Sequence, residues 1–246
     1  LEVGVSQART RDVTKNLDLL VSSIAEIGLL QPIVVCPKEG TDLYEICAGQ
    51  RRFLAHKELE LETIAAVVLA AGGGTRWDGG GHKLLADLDG RPLAAHAIDA
   101  AAAAGLDELV VVTGAADLAG VLPAVVTVVH NPDWDIGQAV SLQLAVSHCR
   151  ATGHQAMVVG LADTPGVPAT AWRSVAGQPG DLVCATFDGL RRPPVKVSAR
   201  LWDELPVAGD MGARLLLSLR ASEAVEVACD GEPADIDTVA DLRAWT

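Results

Sequence analysis

No apolar run in the sequence approaches the roughly 18–20 residues that cross a bilayer, so no membrane span is expected. The alanine-rich stretch at 100–104 reads as part of a short helix. The five cysteines, Cys36, Cys47, Cys149, Cys184 and Cys229, form no C-x-x-C pair. Each is expected to be a small apolar core residue rather than a metal ligand or half of a disulfide, which makes a reducing cytoplasm the default location. Positive charge is scarce too: 19 Lys and Arg stand against 32 Asp and Glu, a net charge of −13. That balance excludes a general nucleic-acid coat or an anionic membrane surface as partner and suits an enzyme of small molecules. Two familiar glycine loops are also missing. A P-loop needs Lys directly after Gly and then Ser or Thr, but His82 precedes Lys83 and Leu84 follows it. A dinucleotide loop begun at Gly72 fails at its sixth position, Trp77.

What the sequence does have is concentrated in residues 65–83, AAVVLAAGGGTRWDGGGHK. The apolar run at 65–69 reads as a buried strand. Directly after it, Gly72, Gly73 and Gly74 can turn backbone N–H groups toward an anion because no Cβ blocks the approach. Arg76 and Lys83 add two positive charges, and in so acidic a chain that concentration of donors points to a bound polyphosphate. A flexible linker explains the glycines alone but not the strand before them or the cations among them.

From residue 65 onward, strand-like runs at 108–113, 125–129, 156–161, 182–186 and 224–228 alternate with helical segments. This βαβ rhythm predicts an α/β fold: a Rossmann-like, three-layer, open and mostly parallel sheet, with ligands at the carboxyl ends of its strands. Pro92 suits the first turn of a helix over 93–104, and Gly105 ends it. Ahead of this region, residues 1–62 predict a small α+β segment with a helix over 14–27 stopped by Gly28, strands at 32–36 and 43–47, and a helix from Gly49-Gln50-Arg51-Arg52 to about residue 60.

The L-A-A-G-x-G-x-R…K loop, Leu69, Ala70, Ala71, Gly72, Gly73, Gly74, Arg76 and Lys83, resembles that of the MobA-like nucleotidyltransferases, specifically the molybdenum cofactor cytidylyltransferase branch. The likeness runs from about residue 65 to 242, with further motifs in family order. Asn131, Trp134, Gly137 and Ser141 match an N-x-x-W-x-x-G-x-x-x-S-L segment. Asp163 follows the strand at 156–161, Asp210 and Arg214 lie in a G-D-x-G-A-R segment, and Asp237 lies in D-I-D-T. The resemblance implies catalysis by Arg76, Lys83 and Asp163, nucleotide binding by the loop, acceptor binding by Asn131, Trp134, Gly137, Ser141, Asp210 and Arg214, and Mg²⁺ held by Asp163 and Asp237. It implies CMP transfer from CTP to a phosphorylated acceptor, molybdopterin in the family, with a molybdoenzyme or its chaperone as partner. Plain caps and turns are the competing explanation at Asn131, Asp163, Asp210 and Asp237. An unpaired carboxylate at Asp163 is expected to strain the site, so that Asp163→Asn should not lower stability. Two departures touch the chemistry: extra residues, Asp78 among them, separate Arg76 from Lys83, and Arg191-Arg192-Pro193-Pro194 stands where the family often has Gly-His-Pro.

The first 62 residues resemble ParB-type N-terminal domains through Gln7-Ala8-Arg9, SSIAEIGLLQPIVV at 22–35 and YEICAGQRR at 44–52. That resemblance implies a second nucleotide site at Gly49, Arg51 and Arg52, and solvated surface arginines are the alternative. No helix-turn-helix follows, so DNA binding is not expected. The last strand of such a unit, at 63–67, coincides with the first strand of the transferase region. Two accounts fit: a truncated N-terminal unit or a fusion. Two rival functions follow, a CTP-binding partition module acting through the Gly49 box and an oxidoreductase related to dye reductases.

Overall fold

A computed structural model describes residues 2–3, 15–27, 34–37, 44–58 and 63–245. The chain divides into two compact units, Leu1–Glu62 and Thr63–Thr246. In the first, β1 (Glu2–Val3), α1 (Leu17–Ile27), β2 (Val34–Pro37), β3 (Tyr44–Ala48) and α2 (Gln50–Glu58) follow one another, and the strands form a sheet of order β1-β3-β2. Leu17 and Ala55 are buried where α1 meets α2, with Leu20, Val21 and Leu54 packed around them. Gln7, Ala8, Arg9 and Gly28, singled out in the sequence, lie outside the described residues. One expectation is corrected here. Cys36 and Cys47 are joined in a disulfide, because the antiparallel pairing of β2 with β3 brings their Cα atoms to 6.2 Å.

The second unit runs β4 (Ile64–Ala70), β5 (Asp87–Leu88), β6 (Arg91–Pro92), α3 (Leu93–Ala103), β7 (Glu108–Thr113), β8 (Thr127–His130), α4 (Gln138–Thr152), β9 (Ala156–Leu161), α5 (Ala169–Gly177), β10 (Leu182–Phe187), β11 (Leu190–Ser198), α6 (Ala213–Leu219), β12 (Val225–Ala228) and α7 (Val239–Trp245). Seven strands make one sheet, β12-β10-β11-β9-β4-β7-β8, parallel except for β11, which is antiparallel to both its neighbours. Strand periodicity separates the two faces. Ala65, Val67 and Leu69 pack into one core with Leu142, Val146 and Trp202, while Ala66, Val68 and Ala70 pack into the other with Ile98 and Trp172. The sheet is therefore covered on both faces, the three-layer Rossmann-like arrangement expected.

β11 has no counterpart in the sequence reading. Its Arg191-Arg192-Pro193-Pro194 opening looks like a turn, yet the pairing steps from Ala185↔Arg192 to Cys184↔Val195. The two prolines, which have no N–H to give a ladder, sit in the resulting irregularity. The junction at 63–67 is also resolved. β4 pairs with β7 along one edge and β9 along the other, so this strand belongs to the second unit's sheet. Among the described residues, no helix is long and apolar enough to cross a membrane.

Candidate active site

From β4 the chain moves to β7 and β8 on one side and then returns to β9 on the other. The carboxyl ends of β4 and β9 thus flank a switch point, where open parallel sheets form a crevice. The Ala162 N–H donates to the Leu69 carbonyl at 3.1 Å, which holds the two strand ends together. A cavity of about 500 Å³ opens there, lined by the 69–76 segment, Lys83, Asp163 and Asp237 on one side and by Trp134, Gln138 and Asp210 on another.

Lys83, Asp163 and Asp237 converge at its floor. The Lys83 ammonium donates to Asp163 Oδ2 at 2.7 Å and to Asp237 Oδ1 at 2.8 Å. Arg76 reaches Asp237 Oδ2 at 2.7 Å, with its side chain 74% exposed. Burial by itself lowers the Lys83 pKa, but Asp163 and then Asp237 oppose it, and the ammonium ends with its pKa raised. The extra residues before Lys83 thus leave it in contact with both expected metal carboxylates. Asp163 is paired rather than isolated, which removes the reason for expecting it to strain the site. Its other oxygen, Oδ1, is buried with no hydrogen-bond partner. An orphaned carboxylate oxygen in a polyphosphate-sized crevice fits a hard divalent ion. Among the described residues no group of three His, Cys, Asp or Glu could hold a metal ion. With the unpartnered Asp163 Oδ1 beside Asp237, the residues present fit a divalent ion that takes one or two carboxylates and completes its shell with other oxygens.

Asp237 is free to face this crevice because others cap the last helix. The Thr238 hydroxyl accepts from Asp241 N at 3.2 Å, Asp78 Oδ1 accepts from Val239 N at 2.9 Å, and Asp241 Oδ2 accepts from Asp237 N at 3.1 Å. Half-buried Asp235 lies near Asp163 and Asp237. Burial and then those two charges push its carboxyl pKa up, against the pull of Arg214. The sequence reading missed Asp235, although its spacing of two from Asp237 in D-I-D-T was visible.

Trp134 stands against the glycine loop. A Cβ on Gly73 would lie 2.4 Å from the indole Cζ3, and one on Gly114 2.7 Å from Trp134 Cβ, so glycine is required at both. Asn131 is fully buried; its amide donates to Ser141 Oγ at 2.9 Å, and its Oδ1 accepts from Asp133 N at 2.9 Å. Ser141 lines the cavity, whereas Asn131 secures the turn leading to it. Gly137 precedes α4 with φ 137°, and Asp210 Oδ1 accepts from Gln138 N at 3.4 Å. Asp210 therefore caps α4 from 72 residues away, not the helix that follows it. A second cavity of about 190 Å³ adjoins the first, lined by Arg192, Met211, Arg214 and Asp235 and again by Asp163 and Asp237. Arg214 stands 3.9 Å from Asp235.

In the first unit Gly49 has φ 97° and its carbonyl accepts from Phe53 N at 3.0 Å, as the start of α2. Arg51 turns its guanidinium to the carbonyls of Lys15 at 2.5 Å and Asn16 at 3.1 Å. Arg52 is half-buried.

Residues 66–226 match the MobA-like NTP transferase domain, and residues 1–74 match the ParB N-terminal domain. Nicotine blue oxidoreductase of Paenarthrobacter nicotinovorans is 30% identical over 198 residues, 74% of this chain and 96% of its own length. The solved structure of Rv0371c from Mycobacterium tuberculosis H37Rv in complex with manganese is 26% identical with a TM-score of 0.63, over 74% of this chain and 97% of that one. The probable chromosome-partitioning protein ParB of Mycobacterium leprae is 48% identical over 56 residues, which span 22% of this chain and 17% of that protein. The crevice at the β4/β9 switch point and the extent of the first match agree: from residue 66 to 226 the chain belongs to the MobA-like NTP transferase family, and the stretch that matches the ParB N-terminal domain runs into its first residues.

Proposed function

We propose that the second unit is a Mg²⁺-dependent nucleotidyltransferase that moves CMP from CTP to a phosphorylated acceptor, molybdopterin by family resemblance, releasing pyrophosphate. The observation that carries this reading is Asp163 Oδ1, buried and unpartnered opposite the glycine loop. Asp163 and Asp237 hold the ion, which when bound neutralises phosphate charge. The remaining work is positioning. The N–H groups of Gly72, Gly73 and Gly74 bind the triphosphate, Arg76 closes over it from the exposed side, and Lys83 stabilises charge at the α-phosphate or the leaving group. Arg214 faces the smaller cavity, on the acceptor side.

Incubating the protein with Mg²⁺, each NTP and molybdopterin and measuring pyrophosphate tests this. Release with CTP is expected, and none with any NTP overturns the reading. CTP is favoured over GTP because the Ala71 methyl, buried in the cavity wall, narrows the space where the guanylyl branch has glycine. Equal turnover of the two would refute that preference. The kinship to a protein named as an oxidoreductase supports a second reading, redox chemistry. Flavin or nicotinamide absorbance in the purified protein would favour it.

A further inference from the structure

The segment between Arg76 and Lys83 contributes nothing to the chemistry above, yet it is fastened to three parts of the site. Asp78 holds the backbone just past Asp237 through the Val239 N–H. His82 makes two bonds with one ring: Nε2 lies 3.1 Å from the Gly72 carbonyl oxygen, and Nδ1 lies 3.2 Å from the Leu84 nitrogen. A carbonyl only accepts and an amide N–H only donates. The ring must therefore carry its proton on Nε2 and leave Nδ1 bare. An imidazolium keeps the bond to Gly72 but turns a second N–H against that of Leu84.

Gly72 begins the glycine loop, and Leu84 lies in the 3-10 turn Lys83–Leu85 that His82 caps. One imidazole thus joins the entrance of the loop to the turn that presents Lys83. We propose that His82 is a positioning residue for nucleotide binding: as a neutral Nε2–H imidazole it clasps the glycine loop to the Lys83 turn, and protonation releases the clasp. This rests on the nucleotidyltransferase reading of the same loop.

The surroundings favour the neutral form. Burial disfavours the imidazolium, the Gly72 carbonyl favours it and the Lys83 charge disfavours it, leaving the pKa below the ordinary 6.5. The group facing the ring from the glycine loop is the uncharged Gly72 carbonyl. From its own turn it is Lys83, whose ammonium is held by Asp163 and Asp237. Because the unfolded chain takes up the proton first, the clasp contributes fully above the unfolded value. Its contribution is lost as pH falls below that value toward the lowered folded one.

Two measurements on the full chain test the proposal. The first is equilibrium binding of CTP with Mg²⁺ from about pH 7.5 to about pH 5.5, comparing wild type with His82→Asn, which caps the Leu84 N–H without titrating. The triphosphate's own titration is common to both, so the difference in slope is the readout. Wild type is expected to lose roughly three- to tenfold more affinity than His82→Asn across that range, the scale of one hydrogen bond. Equal slopes overturn the proposal. The second is nitrogen NMR of the imidazole, with exchange of the Leu84 amide, on the unliganded chain. An Nε2–H tautomer near neutral pH and loss of Leu84 protection in acid support the clasp, and an Nδ1–H tautomer refutes it. If neither protein binds CTP while the NMR signature is intact, the clasp stands and the transferase reading fails.

Discussion

Two stretches of this chain look alike in sequence and differ in what surrounds them. Gly49-Gln50-Arg51-Arg52 and Gly72–Lys83 both follow a strand, and both combine glycine with two cations. In the second unit the cations meet carboxylates at the edge of a cavity: Lys83 bridges Asp163 and Asp237, and Arg76 meets Asp237. In the first unit Arg51 meets the carbonyls of Lys15 and Asn16, so its guanidinium joins the entrance of α1 to the start of α2. A cation paired with a carboxylate that has an oxygen to spare belongs to a site that can bind more. The Arg51 guanidinium ties two helix starts together through one nitrogen, and its Nε is buried without a hydrogen-bond partner.

The comparison breaks most sharply at Asp163. Asp163→Asn is expected to lower kcat by at least about a hundredfold, the scale of one strong transition-state contact. A modest fall in unfolding temperature should accompany it, since Lys83 loses one of two carboxylates. An active but less stable variant would reduce Asp163 to a turn residue. Gly73→Ala comes next. Its methyl meets the Trp134 indole, so the apparent affinity for CTP should fall about tenfold, with part restored by adding Trp134→Leu. No rescue would mean that the loop fails for another reason. Arg51→Ala sharpens the contrast from the other side. It should lower the first unit's stability by about 1–2 kcal/mol, read by thermal unfolding, and leave pyrophosphate release unchanged. A second CTP site on the full chain, lost in Arg51→Ala, would make the two boxes equivalent after all.

The features legible in the sequence are those set by short-range pattern. The apolar run at 64–70 ends in glycines, and Asp163 directly follows a buried strand, so both crevice walls could be read from neighbouring residues. What escaped depends on partners distant in sequence. A cap for α6 is the competing sequence reading of Asp210, but the Gln138 N–H that it meets is 72 residues earlier. The disulfide between Cys36 and Cys47 depends on the register of β2 against β3, which spacing alone does not determine. His82 looked like an interruption of a better-known loop. Its role emerges only when the Gly72 carbonyl and the Leu84 N–H are placed on either side of its ring.

A strand has two edges, and both edges of β4 are taken by β7 and β9. The ParB-type match nevertheless continues to residue 74, whereas the first folded unit stops at Glu62. Residues 66–74 match both families, while the strand they continue is built into the second unit's sheet alone. The end of the ParB-type match and the border of the folded unit thus fall at different places, and a cut made at residue 74 would take from the second unit a strand that is paired on both edges.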